Sequence, residues 1–145
     1  MRTFGRRLLP AAIAALAIAV AGGDALAQGG PAMVCVAPLK PAVSVELYFG
    51  RGKPDGGEVS DAEWEDFLAT EVTPRFPDGL SVMDVMGQYR GSSGRAVSER
   101  SKRLQVVVFD PPTHVAKLAE IIDLYRQRFR QESVLRTERN LCAAL

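Results

Sequence analysis

The order in which two hydrophobic periods follow one another constrains this chain most. Ala42 to Phe49 alternates with a period of two, with Val43, Val45, Leu47 and Phe49 on one side and Ser44, Glu46 and Tyr48 on the other. That is the pattern of a half-buried strand. After the Gly- and Pro-rich stretch Gly50 to Gly57, Ser60 and Glu63 have the spacing of a capping box. Trp64, Phe67, Leu68 and Val72 then recur at helical spacing, which predicts a helix over about 61–72. Pro74 ends it, because the residue before a proline avoids helical geometry. Pro77-Asp78-Gly79 reads as a turn.

Leu80 to Tyr89 reads as a second strand. Val82, Met83, Val85 and Met86 do not share one parity, which a bulge would accommodate. Gly91 to Gly94 reads as a hairpin connection. The third strand has a polar half, Arg95 to Arg103, and an apolar half, Leu104 to Phe109, and Asp110-Pro111-Pro112 stops it. Thr113 is the expected N-cap of a second helix with the stripe Val115, Leu118, Ile122, Tyr125 and Phe129, and with Ile121 at the stripe's edge. A last strand is expected from about Ser133 to Asn140.

The sequence of elements is β-α-β-β-α-β, which predicts an α+β, ferredoxin-like domain. Two helices would cover one face of a four-stranded antiparallel sheet of order 4-1-3-2. First and last strands then lie side by side, and the start of one meets the end of the other. Cys35 precedes the first strand and Cys142 follows the last, so this topology brings the two together. A disulfide is the natural reading, and closing a loop of about 100 residues is worth about 4–5 kcal/mol on the loop-entropy model. The alternative is two separate thiols near the chain ends.

Residues 1–27 are of a different composition. Arg2, Arg6 and Arg7 precede Leu8 to Val20, a run with no polar side chain, and Ala25-Leu26-Ala27 has the small residues of a cleavage site. This is a secretory signal pattern, and the apolar run is shorter than the ~20 residues that span a bilayer. A transmembrane anchor is the alternative. Cleavage after Ala27 would leave 118 of the 145 residues, a lead-in over 28–41 and one domain over 42–145. It removes three Arg and Asp24, so 18 basic and 17 acidic residues become 15 and 16, net −1. The mature chain is therefore expected to be exported, periplasmic or secreted, with no membrane attachment after cleavage. A near-zero net charge argues against nucleic acid as a partner.

Chemistry is sparse. One His and two Cys do not make the repeated ligand spacings of a metal site, so no metal and no cofactor is expected. Gly50 to Gly57 lacks the Ser or Thr of a P-loop, since Pro54 follows Lys53. An anion could still meet Arg51 and Lys53 ahead of the first helix. Asp55, Glu58 and Asp61 do not follow the EF-hand pattern and read as solvated acids. His114 reads as an exposed residue of the second helix's first turn. The helix-free face of the sheet is the main candidate. Glu46, Tyr48, Glu99 and Arg103 are expected there, joined by Gln88 and Arg90. A carboxylate on that face could serve as a general base with an Arg holding an anion. The plainer readings are a cross-strand salt-bridge lattice or an interface with a second copy.

Several runs resemble a bacterial family of small exported proteins, a domain of unknown function. They are Glu46-Leu47-Tyr48-Phe49-Gly50, Trp64 in its capped helix, Glu71 to Leu80, Gly87 to Arg90, Glu99 to Lys102 and Gln131 to Arg136. The similarity covers about Val43 to Asn140. It implies export and no known activity, and it carries over no catalytic residues. It draws attention to Arg75, Asp78, Gln88, Arg90, Glu99, Lys102 and Gln131 as polar members of the matching runs. The function expected is a binding or interaction module, with a homodimer through the open face, another protein or a small molecule as partner. The alternative is an enzyme using Glu46 or Glu99 with Arg103.

Overall fold

The computed structural model describes residues 33–90 and 94–145. The expected signal segment lies outside the described residues. Seven elements follow one another: β1 (Lys40–Gly50), α1 (Asp61–Phe67), a π turn (Leu68–Val72), β2 (Ser81–Arg90), β3 (Ala96–Val108), α2 (Pro111–Phe129) and β4 (Leu135–Ala143). The strands pair antiparallel in the order β2-β3-β1-β4, with both helices on one face. This is the ferredoxin-like arrangement that the sequence pattern predicts.

The core forms where the period-two face of the sheet meets the two helical stripes. Val43, Val45, Leu47 and Phe49 of β1 and Leu104, Val106 and Val108 of β3 are all buried. Phe49 packs against Trp64, Phe67 and Tyr125, with ring centroids 5.2, 6.1 and 4.6 Å apart. The Tyr125 hydroxyl donates to the Gly50 carbonyl at 2.9 Å, so the polar end of a buried ring is satisfied by the backbone where β1 ends. Burial holds the Tyr125 phenol above its ordinary range.

The capping box is present. Ser60 Oγ accepts the Glu63 N–H at 3.2 Å, and the Glu63 carboxylate accepts the Ser60 N–H at 2.8 Å. The helix does not run on as α-helix to Val72, however. Its last turn widens, with the Thr73 N–H reaching the Leu68 carbonyl at 2.9 Å. The disulfide Cys35–Cys142 is formed, across 107 positions.

Several expectations are corrected. The second helix begins at Pro111 with Asp110 as N-cap, not at Thr113. The prolines that stop β3 also start α2, since the first helical positions need no N–H donor. Its buried stripe is His114, Leu118, Ile121, Tyr125 and Phe129, whereas Val115 is 48% exposed. His114 itself is only 2% exposed, not a surface residue. And β2 has no bulge, because it pairs with β3 without interruption from Ser81↔Gln105 to Arg90↔Ala96. As an edge strand with no fully buried residue, β2 has no need to keep its apolar side chains on one parity. At the other end, β4 runs two residues later at its start and three later at its end than the expected 133–140.

Candidate functional site

The register fixes which side chains share the helix-free face. Opposite residues of paired strands point the same way. Tyr48 stands opposite Arg103, and Met83 lies on the far side of Arg103. Glu46 stands between Gln105 and Thr137 in the next row. Gly87 faces Glu99, and Ser44 lies between Val107 and Arg139. Glu46, Tyr48, Glu99 and Arg103 therefore do share the open face. Gln88 and Arg90 do not, because their opposite residues Ser98 and Ala96 have the parity of Lys102, on the helix side.

The two faces handle charge differently. On the helix side Arg51, only 3% exposed, donates from Nε to the Val59 carbonyl at 2.7 Å and lies 3.1 Å from Asp61. Lys102 reaches Asp61 at 3.1 Å and Asp84 at 2.7 Å. Burial disfavours the Lys102 ammonium, but the hydrogen bonds to the two carboxylates outweigh it and hold its pKa above the usual range. Hydrogen bonding to Lys102, then the Arg51 charge, hold Asp61 below its usual range. Lys53 is committed to Glu63, which it pulls down to about 2. Arg51 and Lys53 are thus each paired with a carboxylate. Arg75 is tied to Glu71 and Glu120, at 3.1 and 3.2 Å. Asp78 lies exposed in the turn before β2. His114 Nε2 is buried 3.4 Å from a Glu138 oxygen, in a geometry that is not a hydrogen bond. A hydrogen bond from Arg136 holds Glu138 below its ordinary range.

On the open face none of Glu46, Glu99, Arg103 and Arg139 enters an ion pair among the described residues. The salt-bridge lattice expected as the plain reading is not formed. Glu46 Oε2 accepts from Tyr48 Oη at 2.9 Å and from Thr137 Oγ1 at 3.5 Å. Glu99 Oε1 accepts the Gly52 N–H at 3.0 Å. Arg103 Nη2 contacts Met83 Sδ at 2.9 Å, and its Nε is buried without a partner. Val107 and Leu135 add exposed apolar surface, at 38% and 60%. Two shallow hollows lie elsewhere, one at Gln88, Tyr89, Arg90 and Ala96, the other at Lys53, Asp55, Glu63 and Arg128 to Arg130.

Sequence reasoning missed Arg51, Lys102 and His114 as buried polar groups. Lys102 had a signal, since it shares parity with Leu104. Arg51 had one too, two positions beyond Phe49. No group of three or more metal-ligating side chains converges among the described residues.

A family model described as "Protein of unknown function (DUF3574)" matches residues 44–145. No curated protein matches the chain. Among the solved structures that share the fold are two of a phage enzyme. A phage SAM lyase in complex with S-methyl-5'-thioadenosine is 17% identical with a TM-score of 0.56, covering 72% of this chain and 90% of its own. A phage SAM lyase in the apo state is 19% identical with a TM-score of 0.54, covering 69% and 81%.

Proposed function

The chain belongs to the DUF3574 family of proteins of unknown function, and from that premise we propose that it is an exported interaction module that self-associates through the helix-free face of its sheet. Export is supported by the signal pattern of residues 1–27 and by the disulfide, which persists in oxidising compartments. No helix among the described residues is long and apolar enough to cross a membrane. The observation that carries the reading is the unpaired charge of both signs on the open face. Glu46 and Glu99 stand there with Arg103, Arg139 and, at the start of β1, Lys40. A face that carries acids beside basic groups offers each sign to its own copy, which a two-fold interface requires, since each patch meets itself. Val107 and Leu135 supply the apolar contact that such an interface buries.

Sedimentation velocity of residues 28–145 tests it. The expected result is a reversible dimer that Leu135→Asp or Arg103→Glu converts to monomer. A wild-type monomer up to the highest soluble concentration would refute it.

A second reading is an enzyme that uses Glu46 or Glu99 with Arg103. What favours it is that two of the solved structures similar to this chain are SAM lyases, one with S-methyl-5'-thioadenosine bound. Incubation with SAM, followed for release of S-methyl-5'-thioadenosine, tests it. Release that Glu46→Gln and Glu99→Gln leave unchanged would end that assignment of residues.

A further inference from the structure

Arg103 and Glu46 lie on neighbouring strands, offset by two positions, with Tyr48 directly opposite Arg103. Such diagonal neighbours are about 7–8 Å apart, a gap that an Arg and a Glu can close. Here they are drawn apart. Arg103 leans toward β2, where its Nη2 meets Met83 Sδ at 2.9 Å. Glu46 leans toward β4, held by the Tyr48 and Thr137 hydroxyls. Neither bonds the other, and Tyr48 stands between them.

A thioether is a weak acceptor, so this half-buried guanidinium has given up water for little in return. The Arg103 Nε has no partner at all. Partly desolvated donors without acceptors are costly, and an oxyanion that engages the guanidinium fork relieves that cost. The neighbourhood limits which oxyanion fits. A phosphate dianion would meet the Glu46 and Glu99 carboxylates on the same face. A lone cation would leave Arg103 unpaired. A ligand with one negative and one positive group a few ångströms apart satisfies both sides.

We infer that the Arg103, Tyr48 and Glu46 side chains on the open face form a recognition site for a small amino-acid-like zwitterion. Its carboxylate lies on the Arg103 guanidinium. Its ammonium or sulfonium centre lies against Glu46 Oε1 and the Tyr48 ring, whose π face attracts cations. The site stands apart from the self-association reading, since every group it uses belongs to one copy.

The test is thermal denaturation and calorimetric titration of residues 28–145 with S-methylmethionine and with glycine betaine. Acetate together with tetramethylammonium is the control, and sedimentation is measured in parallel. Both zwitterions are expected to raise the unfolding midpoint saturably, while the separated ions do not. Arg103→Met and Glu46→Gln should each weaken binding at least tenfold, and Arg103→Lys should restore part of it. The unliganded midpoint of each variant shows whether it folds. Absence of binding, or binding that the substitutions leave intact, overturns the inference. A dimer that binds neither zwitterion leaves self-association standing and removes the site. A monomer that binds them in an Arg103-dependent way does the reverse.

Discussion

The Glu99 carboxylate fills the space that a side chain at position 50 would need. A Cβ built on Gly50 would stand 2.6 Å from Glu99 Oε1. The same oxygen accepts the Gly52 N–H, so β3 holds the point where β1 ends and its loop begins. Gly50 is there for room, and its backbone conformation is one that other residues adopt.

Replacing Gly50 by Ala should therefore act through Glu99. The carboxylate must swing away and release the Gly52 N–H. We expect a loss of about 1–2 kcal/mol, the scale of one hydrogen bond to a charged group. Gly87→Ala is the control, because a Cβ there meets only the Glu99 carbonyl oxygen, at an ordinary 3.7 Å. Urea denaturation of both variants measures the difference. A Gly50→Ala loss no larger than that of Gly87→Ala would show that the Glu99 contact is incidental.

Arg51 fastens the other side of the same junction. Its Nε–H meets the Val59 carbonyl while another nitrogen faces Asp61, and the Val59 N–H returns to the Arg51 carbonyl at 2.7 Å. Lysine keeps the charge but lacks the planar guanidinium whose Nε–H reaches the Val59 carbonyl while Nη1 faces Asp61. Arg51→Lys should cost about 1–3 kcal/mol, read as a lower urea midpoint at unchanged slope. A cost near zero would mean that a single ammonium suffices.

The strand order was legible in the sequence because β1 and the apolar half of β3 alternate cleanly, and because caps and prolines bracket both helices. What was not legible follows from the same physics. The apolar pattern of α2 points to Val115 at the start of the buried stripe, where the fold buries His114 one residue earlier. His114 is buried where β4 brings Glu138 within 3.4 Å of its ring, and that approach depends on tertiary structure. Lys102 has core parity but lies at the rim, where Asp61 and Asp84 reach it. Members of the open face could be read from alternation. That its charges stay unpaired could not, because it depends on where Met83 and Thr137 stand in the register.

The disulfide joins the N-terminal lead-in to the end of β4. Pro41 stands opposite Cys142, so the bond closes the ladder between the first and last strands. Its main effect is to restrict the unfolded chain across a separation of 107 positions. Cys35→Ser with Cys142→Ser should lower stability by about 2–5 kcal/mol without changing the fold. Urea titration of oxidised and doubly substituted protein at one pH measures it. Equal midpoints would show that the unfolded chain is already as constrained without the bond.

Glu63 links the capping box to Lys53, and that link sets part of the acid response. Its pKa falls from an ordinary 4.5 to about 2, first because Lys53 hydrogen-bonds the carboxylate and then because the Ser60 N–H does. A depressed folded-state pKa means that the unfolded state takes up the proton first as pH drops. The stabilisation is present in full above about 4.5 and is lost progressively as pH falls toward about 2. Glu63→Gln keeps a side chain long enough to reach the Ser60 N–H, but it has no charge to lose. The urea midpoint of the wild type should therefore fall more steeply than that of the variant across this window. The carboxylate is exposed, so added salt should narrow the gap between the two curves. Parallel curves at low salt would show that the Lys53 contact does not persist in solution.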